Sequence, residues 1–164
     1  MTAFLYRMPS GIPGAVTRQS QSTIETGVFD GTLPFSGYGL FGKIASGKFV
    51  PVGAGDAAAA VYALLVRPFP TQGANPSDPI GVAVPITTGA NANMLRRGYA
   101  NVKVNAGTAA FNGPVYIRVA AAAAGKPIGG IEAAADSTNT IQVTGAIFMA
   151  AADASGNAEI AFNI

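Results

Sequence analysis

The sequence contains no cysteine, no histidine and no tryptophan. Without cysteine there is no disulfide and no thiolate. Without histidine there is no imidazole base for a serine or cysteine nucleophile, and without either residue no Cys or His metal site and no Cys or His haem ligand. Charge is scarce too. Ten Lys and Arg with eight Asp and Glu are all that 164 residues carry, against about a quarter of an ordinary domain. The net charge is +2 and the basic residues are scattered, Arg96-Arg97 being the closest pair. Nucleic-acid binding calls for a basic stripe with interleaved aromatics, so no nucleic-acid partner is expected. Long apolar runs are also missing. The longest, Ala57 to Val66, has ten residues and stops at Arg67-Pro68, where a membrane helix needs about 20. No membrane partner is expected, and the start MTAFLYRMPSG does not read as a signal peptide.

What the chain does have is 49% hydrophobic residues, 21 Gly and 11 Pro. That combination argues against disorder and for one loop-rich domain with a dense core. From Thr23 onward short β-like runs alternate with turn residues. The candidate strands are Thr23–Phe29, Tyr38–Ile44, Lys48–Val52, Val61–Arg67, Gly81–Ile86, Asn101–Val104, Val115–Val119, Ile128–Ala133, Ile141–Met149 and Ala158–Ile164. Segments such as SGK, NGP, AGKP and DASGN separate them. About ten short strands at this spacing imply an all-β fold, a single β-barrel or jelly-roll-like sandwich occupying residues 23–164. Ser46-Gly47 reads as a tight turn, Asn112-Gly113 as a two-residue hairpin, and the last two strands as a closing hairpin. Asp56–Ala60 is a candidate for one short helical turn, and strand or loop is expected at Ala120–Ala124.

Residues 1–22 read differently. Pro9, Gly11, Pro13 and Gly14 are followed by the polar run TRQSQST, which predicts an extended N-terminal arm. The arm also carries Phe4, Tyr6, Ile12 and Val16 on no periodic face. Two readings follow: it wraps its own domain, or it lies in a groove on a partner.

Two segments imitate phosphate-binding motifs. Gly37 to Gly42, GYGLFG, matches G-x-G-x-x-G, and Asp56 is the nearest acid beyond it, but no helix start follows. Gly42 to Phe49, GKIASGKF, nearly matches the P-loop, but Phe49 stands where Mg²⁺ needs a hydroxyl. The acids Glu25, Asp30, Asp56, Asp78, Glu132, Asp136, Asp153 and Glu159 are spread through turn contexts. No catalytic, cofactor-binding or metal-binding residue can be named, and no enzymatic activity is expected. Two segments suit a partner instead. Arg67, Pro68 and Phe69 form a stiff apolar protrusion at a strand end. Arg96, Arg97 and Tyr99 stand before an alternating strand, in a loop, and arginine is favoured in ion pairs across interfaces.

Taken together, GIPGAVTRQSQSTIE, FSGYGLFGKIASGKFVPV, VYALLVRPFPTQ, LRRGYANVKV, GPVYIRV and the terminal GNAEIAFNI resemble the structural cement, or head decoration, proteins of tailed bacteriophages. The most specific pieces are the arm's Pro13, Gly14, Thr17 and Arg18, the LVRPFPTQ segment, and Arg96 to Tyr99. The resemblance implies a protein made in the bacterial host cytoplasm and placed on the outer surface of the virion head. It implies contact with the major capsid protein and self-association as a homodimer or homotrimer, stabilising the junctions between capsid subunits. Carried onto this chain, the arm residues Phe4, Tyr6, Ile12, Pro13, Val16 and Arg18 would bind the capsid. Arg67, Pro68, Phe69, Arg96, Arg97 and Tyr99 would meet either the capsid or a second copy. The alternatives are another virion component (tail tube, tail tip or fibre) or a carbohydrate-binding β-sandwich.

Overall fold

Strands form where apolar and small residues alternate without a turn former between them. The computed structural model, which describes residues 11–68 and 91–164, has nine of them within those residues. They are β1 (Thr23–Val28), β2 (Phe41–Ala45), β3 (Lys48–Pro51), β4 (Ala63–Val66), β5 (Asn91–Ala106), β6 (Pro114–Arg118), β7 (Ile131–Glu132), β8 (Thr140–Phe148) and β9 (Asn157–Phe162). The candidate strand Gly81–Ile86 lies outside the described residues. Helix is confined there to three 3₁₀ turns, Gln19–Gln21, Ala58–Ala60 and Ser137–Asn139, the second falling within the candidate turn Asp56–Ala60.

The turn at Ser46-Gly47 joins β2 to β3 with both residues at positive φ, 50° and 77°, the geometry that matches strand twist. The closing hairpin is β8 with β9, Ile147 opposite Ala161. Asn112-Gly113 behaves otherwise. Asn112 has φ 62° and the Gly113 N–H donates to the Ala110 carbonyl, but the turn makes no hairpin. The short β7 separates β5 from β6, parallel to the first and antiparallel to the second. Ala120–Ala124 is a loop, closed by one bridge between Ala123 and Lys126.

The largest departure from expectation is β5. It runs 16 residues, taking in Arg96-Arg97, which the sequence places in a loop. The reason is that β5 has neighbours on both sides along most of its length. Its first half lies between β1 and β4, with Leu95 opposite both Ile24 and Leu64. Its second half lies between β9, paired from Gly98 to Lys103, and β7, which joins at Val104. The ring β5–β7–β6–β8–β9 returns to β5 and closes a barrel. The remaining strands continue the sheet beyond it in the order β5–β4–β2–β3, with β1 on the other edge of β5.

Because side chains alternate across a strand, β4 and β5 each serve two cores. Leu64, Val66 and Leu95 join the barrel core with Val102, Ile117, Ile131, Phe148 and Ile160. Their neighbours Ala63, Leu65, Ala92 and Met94 face a smaller core of Phe29, Phe35 and Phe49. There Phe35 stacks on Phe49 at 5.0 Å between ring centroids and meets Phe29 edge-on at 5.9 Å. Each such side chain, fully buried, contributes about 1.5–3 kcal/mol.

Candidate functional site

The segment that the sequence marks as an arm is described from residue 11, and from there to Arg18 it packs on its own domain. Ala100 of β5 pairs with Ile160 of β9 on one edge and forms a bridge with Val16 on the other. The Gly14 N–H donates to the Asn101 carbonyl, the Asn101 N–H to the Ala15 carbonyl, and the Thr17 N–H to the Tyr99 carbonyl. The segment therefore occupies ladder positions of β5 between those held by β1 and β7, on the edge opposite β9. Gly14 lets the segment also pack closely on Tyr38 and Gly39. At φ +83°, a Cβ there would stand 2.5 Å from Tyr38 Cβ, and one on Gly39 would stand 2.8 Å from the Gly14 nitrogen. Only two glycines let the backbones touch.

Side chains then fasten the segment. Arg67 donates from its backbone N–H to the Gly14 carbonyl and from Nε to the Pro13 carbonyl, both at 2.8 Å. Its guanidinium lies 4.7 Å over the Tyr38 ring. Burial lowers the Arg67 pKa against the partial support of Tyr38, and burial raises that of Tyr38. Asn157 Nδ2 donates to the Gly11 carbonyl at 3.0 Å. At the far end Thr17 Oγ1 and both Arg18 nitrogens Nε and Nη2 converge on the Glu159 carboxylate, at 2.5, 3.2 and 3.0 Å. Arg18 also lies 3.9 Å over Tyr99, and its hydrogen bond to Glu159 raises its pKa further, against some desolvation.

Of the predicted partner-facing residues, the structure thus brings Pro13, Val16, Arg18, Arg67 and Tyr99 to one seam. Ile12, 46% exposed, and Pro68 border it with their side chains in solvent. Phe4, Tyr6 and Phe69 lie outside the described residues. Arg96 belongs to a second cluster on β5, where it lies 3.7 Å over Tyr62, donates to the Tyr62 carbonyl and approaches Glu25 Oε1 at 3.7 Å. Tyr62 in turn donates its hydroxyl to Glu25. Three arginines that sequence reasoning turned outward, Arg18, Arg67 and Arg96, each lie over a tyrosine of their own chain. Arg97 differs: it is exposed and has no acidic partner among the described residues.

The acids that might have served a reaction are held elsewhere. Asp30 accepts from the Thr32 backbone N–H and hydroxyl and stands 3.8 Å from Lys48, which hold its carboxyl below the usual range. Asp56 is pushed up by partial burial, but Lys43 at 2.6 Å and the Gly53 N–H outweigh that and its pKa is lowered. The most buried group is Arg118, which donates to Glu132 at 2.5 and 3.2 Å and to Asp136 at 2.6 Å. Its remaining N–H groups reach the Ala120 and Ala121 carbonyls. Asp136 is lowered first by Arg118. These are ion pairs that fix a loop, with no nucleophile beside a base. Among the described residues no group of three or more Asp and Glu could hold a metal ion.

Sequence reasoning missed Tyr38, Tyr62, Asn157 and Glu159, the residues that receive the segment and the arginines. Nothing in local patterning marks them, because each meets its partner across the sheet. The Arg118 cluster did leave a trace: an arginine between Ile117 and Val119 in an otherwise apolar strand.

Comparison with known proteins places this architecture. A comparison with curated protein sequences finds no match. Among solved structures, a chain from the capsid of Myoviridae phage XM1 matches with a TM-score of 0.70 at 20% identity, over 98% of this chain and 95% of that one. At that identity the likeness is one of fold. Residues 1–162 match the family described as XM1 gp53 minor capsid protein. With nearly the whole length matched, and the fold shared with a phage capsid chain, the protein belongs to the XM1 gp53 minor capsid protein family.

Proposed function

We propose that the chain is a decoration, or cement, protein that binds the outer surface of a bacteriophage head and stabilises the contacts between its major capsid protein subunits. The observation that carries this reading is the family match across residues 1–162. In it the chain works mechanically and catalyses nothing. Among the described residues its acids and most of its arginines are committed to intramolecular pairs, which leaves apolar burial as the main source of binding energy. That term grows with contact area and, in a lattice of many copies, with multivalency.

Within this reading the predicted contact residues divide in two. Pro13, Val16, Arg18, Arg67 and Tyr99 hold the segment from residue 11 in place. Ile12, Pro68 and Arg97, exposed around that seam, face the shell or a second copy of the chain. The test is cryo-electron microscopy of purified particles with and without the protein, together with heat-induced DNA release. The expected result is added density on the outside of the head, and release at a lower temperature when the protein is missing. Density on the tail, or at the inner face of the shell, would reject the reading.

A further inference from the structure

The barrel has no free edge because its sheet closes on itself, but the sheet that extends from it does. β1 is hydrogen-bonded to β5 along one side only. Beyond its end a single bridge, Phe29 to Phe49, reaches β3, so the other side of Thr23–Val28 has no strand beside it among the described residues. Folded proteins protect such edges with lysine, proline or a short length. β1 has six residues, none of them Lys or Pro, and five are exposed. Ile24 and Val28 point to the same face, being four residues apart on a strand, and are 41% and 57% exposed. The one charge on the strand, Glu25, is answered within the chain by Arg96 and Tyr62. Arg97 stands opposite Thr23, at the first pair of the β1–β5 ladder, exposed and without an acidic partner among the described residues.

We infer that β1 is a docking edge, and that its occupant is an extended segment of the head's shell protein that adds to it as a further strand. This rests on the decoration reading above. Charge complementarity fixes the occupant's chemistry: aliphatic side chains over Ile24 and Val28, and a carboxylate placed to meet Arg97. An arginine on β5 spans the one strand spacing of about 4.8 Å to β1, so a carboxylate side chain reaching back over β1 from a strand laid beside it meets Arg97. Main-chain hydrogen bonds would supply affinity and the acid would supply register.

The test uses the full chain and heads assembled without it. Hydrogen exchange should show the β1 amides gaining protection on heads, a signature that contact through side chains alone does not produce. Ile24→Lys with Val28→Lys should weaken head binding by about 100-fold. Arg97→Glu should weaken it by about tenfold and Arg97→Lys by less. Arg97→Ala should flatten the salt dependence of association. Circular dichroism and melting of the free variants should match the wild type, since all three positions are exposed. Unchanged β1 exchange on heads that the protein does bind would overturn the docking edge while leaving decoration intact. Protection of β1 in the free protein at high concentration, with a dimer in sedimentation, would overturn the named occupant in favour of a second copy. No binding of the wild type to heads would overturn both the occupant and the decoration reading.

Discussion

The two cores of this protein are built differently. The barrel core is filled mainly by aliphatic side chains from five strands that close on themselves, with Phe41 meeting Phe162 edge-on at 5.3 Å. The smaller core rests on three phenylalanines under a sheet that stays open along β1. Closure removes unpaired backbone groups altogether, whereas an open sheet leaves a row of donors and acceptors available to another chain. The difference separates two tasks. In the proposed function the barrel is the rigid body, and the open sheet, with the segment from residue 11 beside it, is the surface offered to a partner.

The sharpest way to break this division is to remove one phenylalanine from the smaller core. Phe35→Ala should cost about 3–5 kcal/mol, because Phe35 is fully buried between Phe29 and Phe49. If the cores are separate, hydrogen exchange will quicken in β1–β3 and leave β6, β8 and β9 protected. Uniform quickening would merge the two cores into one cooperative unit. The complementary change, Ile160→Ala in the barrel, should cost about 2–5 kcal/mol and lower protection throughout, because β5 carries both sheets. Its melting temperature by calorimetry should fall by several degrees, at about 2–4 °C per kcal/mol for a chain of this size.

Acid offers a gentler probe of how the barrel holds its loops. The Asp136 carboxyl is depressed in the folded state, mainly by Arg118, so its contribution is present above the unfolded carboxylate value of about 3.9. That contribution is lost as pH falls through the lower folded value. Thermal melts below about pH 4 should therefore drop less steeply for Asp136→Asn than for the wild type. Smallest of all is the clasp at the end of the segment. Arg18→Ala removes a partly exposed pair with Glu159, worth about 0.2–1 kcal/mol, plus its stacking on Tyr99. The expected signal is faster exchange of the Thr17 amide with little change in melting. Truncation through residue 20 is a different matter, since it strips hydrogen bonds from the middle of β5 as well.

How much of this was legible beforehand follows from the range of each interaction. The tight turn at Ser46-Gly47 and the closing hairpin of β8 and β9 were read correctly because turn residues act within a few positions. The hairpin expected at Asn112-Gly113 was misread for a related reason. Its turn chemistry is real, but which strands flank a turn is decided by β7, which inserts between β5 and β6 from 13 residues beyond β6. Arg96-Arg97 looked like a loop because two adjacent arginines break an apolar alternation. The strand survives there because Tyr62 and Glu25 accept Arg96 from across the sheet.

By itself, then, the sequence determined the class of the fold and the absence of cysteine- and histidine-based chemistry. Both depend on composition and on patterns of period two, which need no long-range partner. It also marked residues 1–22 as unlike the rest. Only the tertiary structure decided what the marked residues meet. Long-range pairing set Arg18 over Tyr99, Arg67 over Tyr38 and Arg96 over Tyr62, and placed the segment from Gly11 to Arg18 against β5. It left Arg97 and the outer edge of β1 unpaired among the described residues. An arginine carries the same charge whether it is paired or free, and its neighbours in space make that difference.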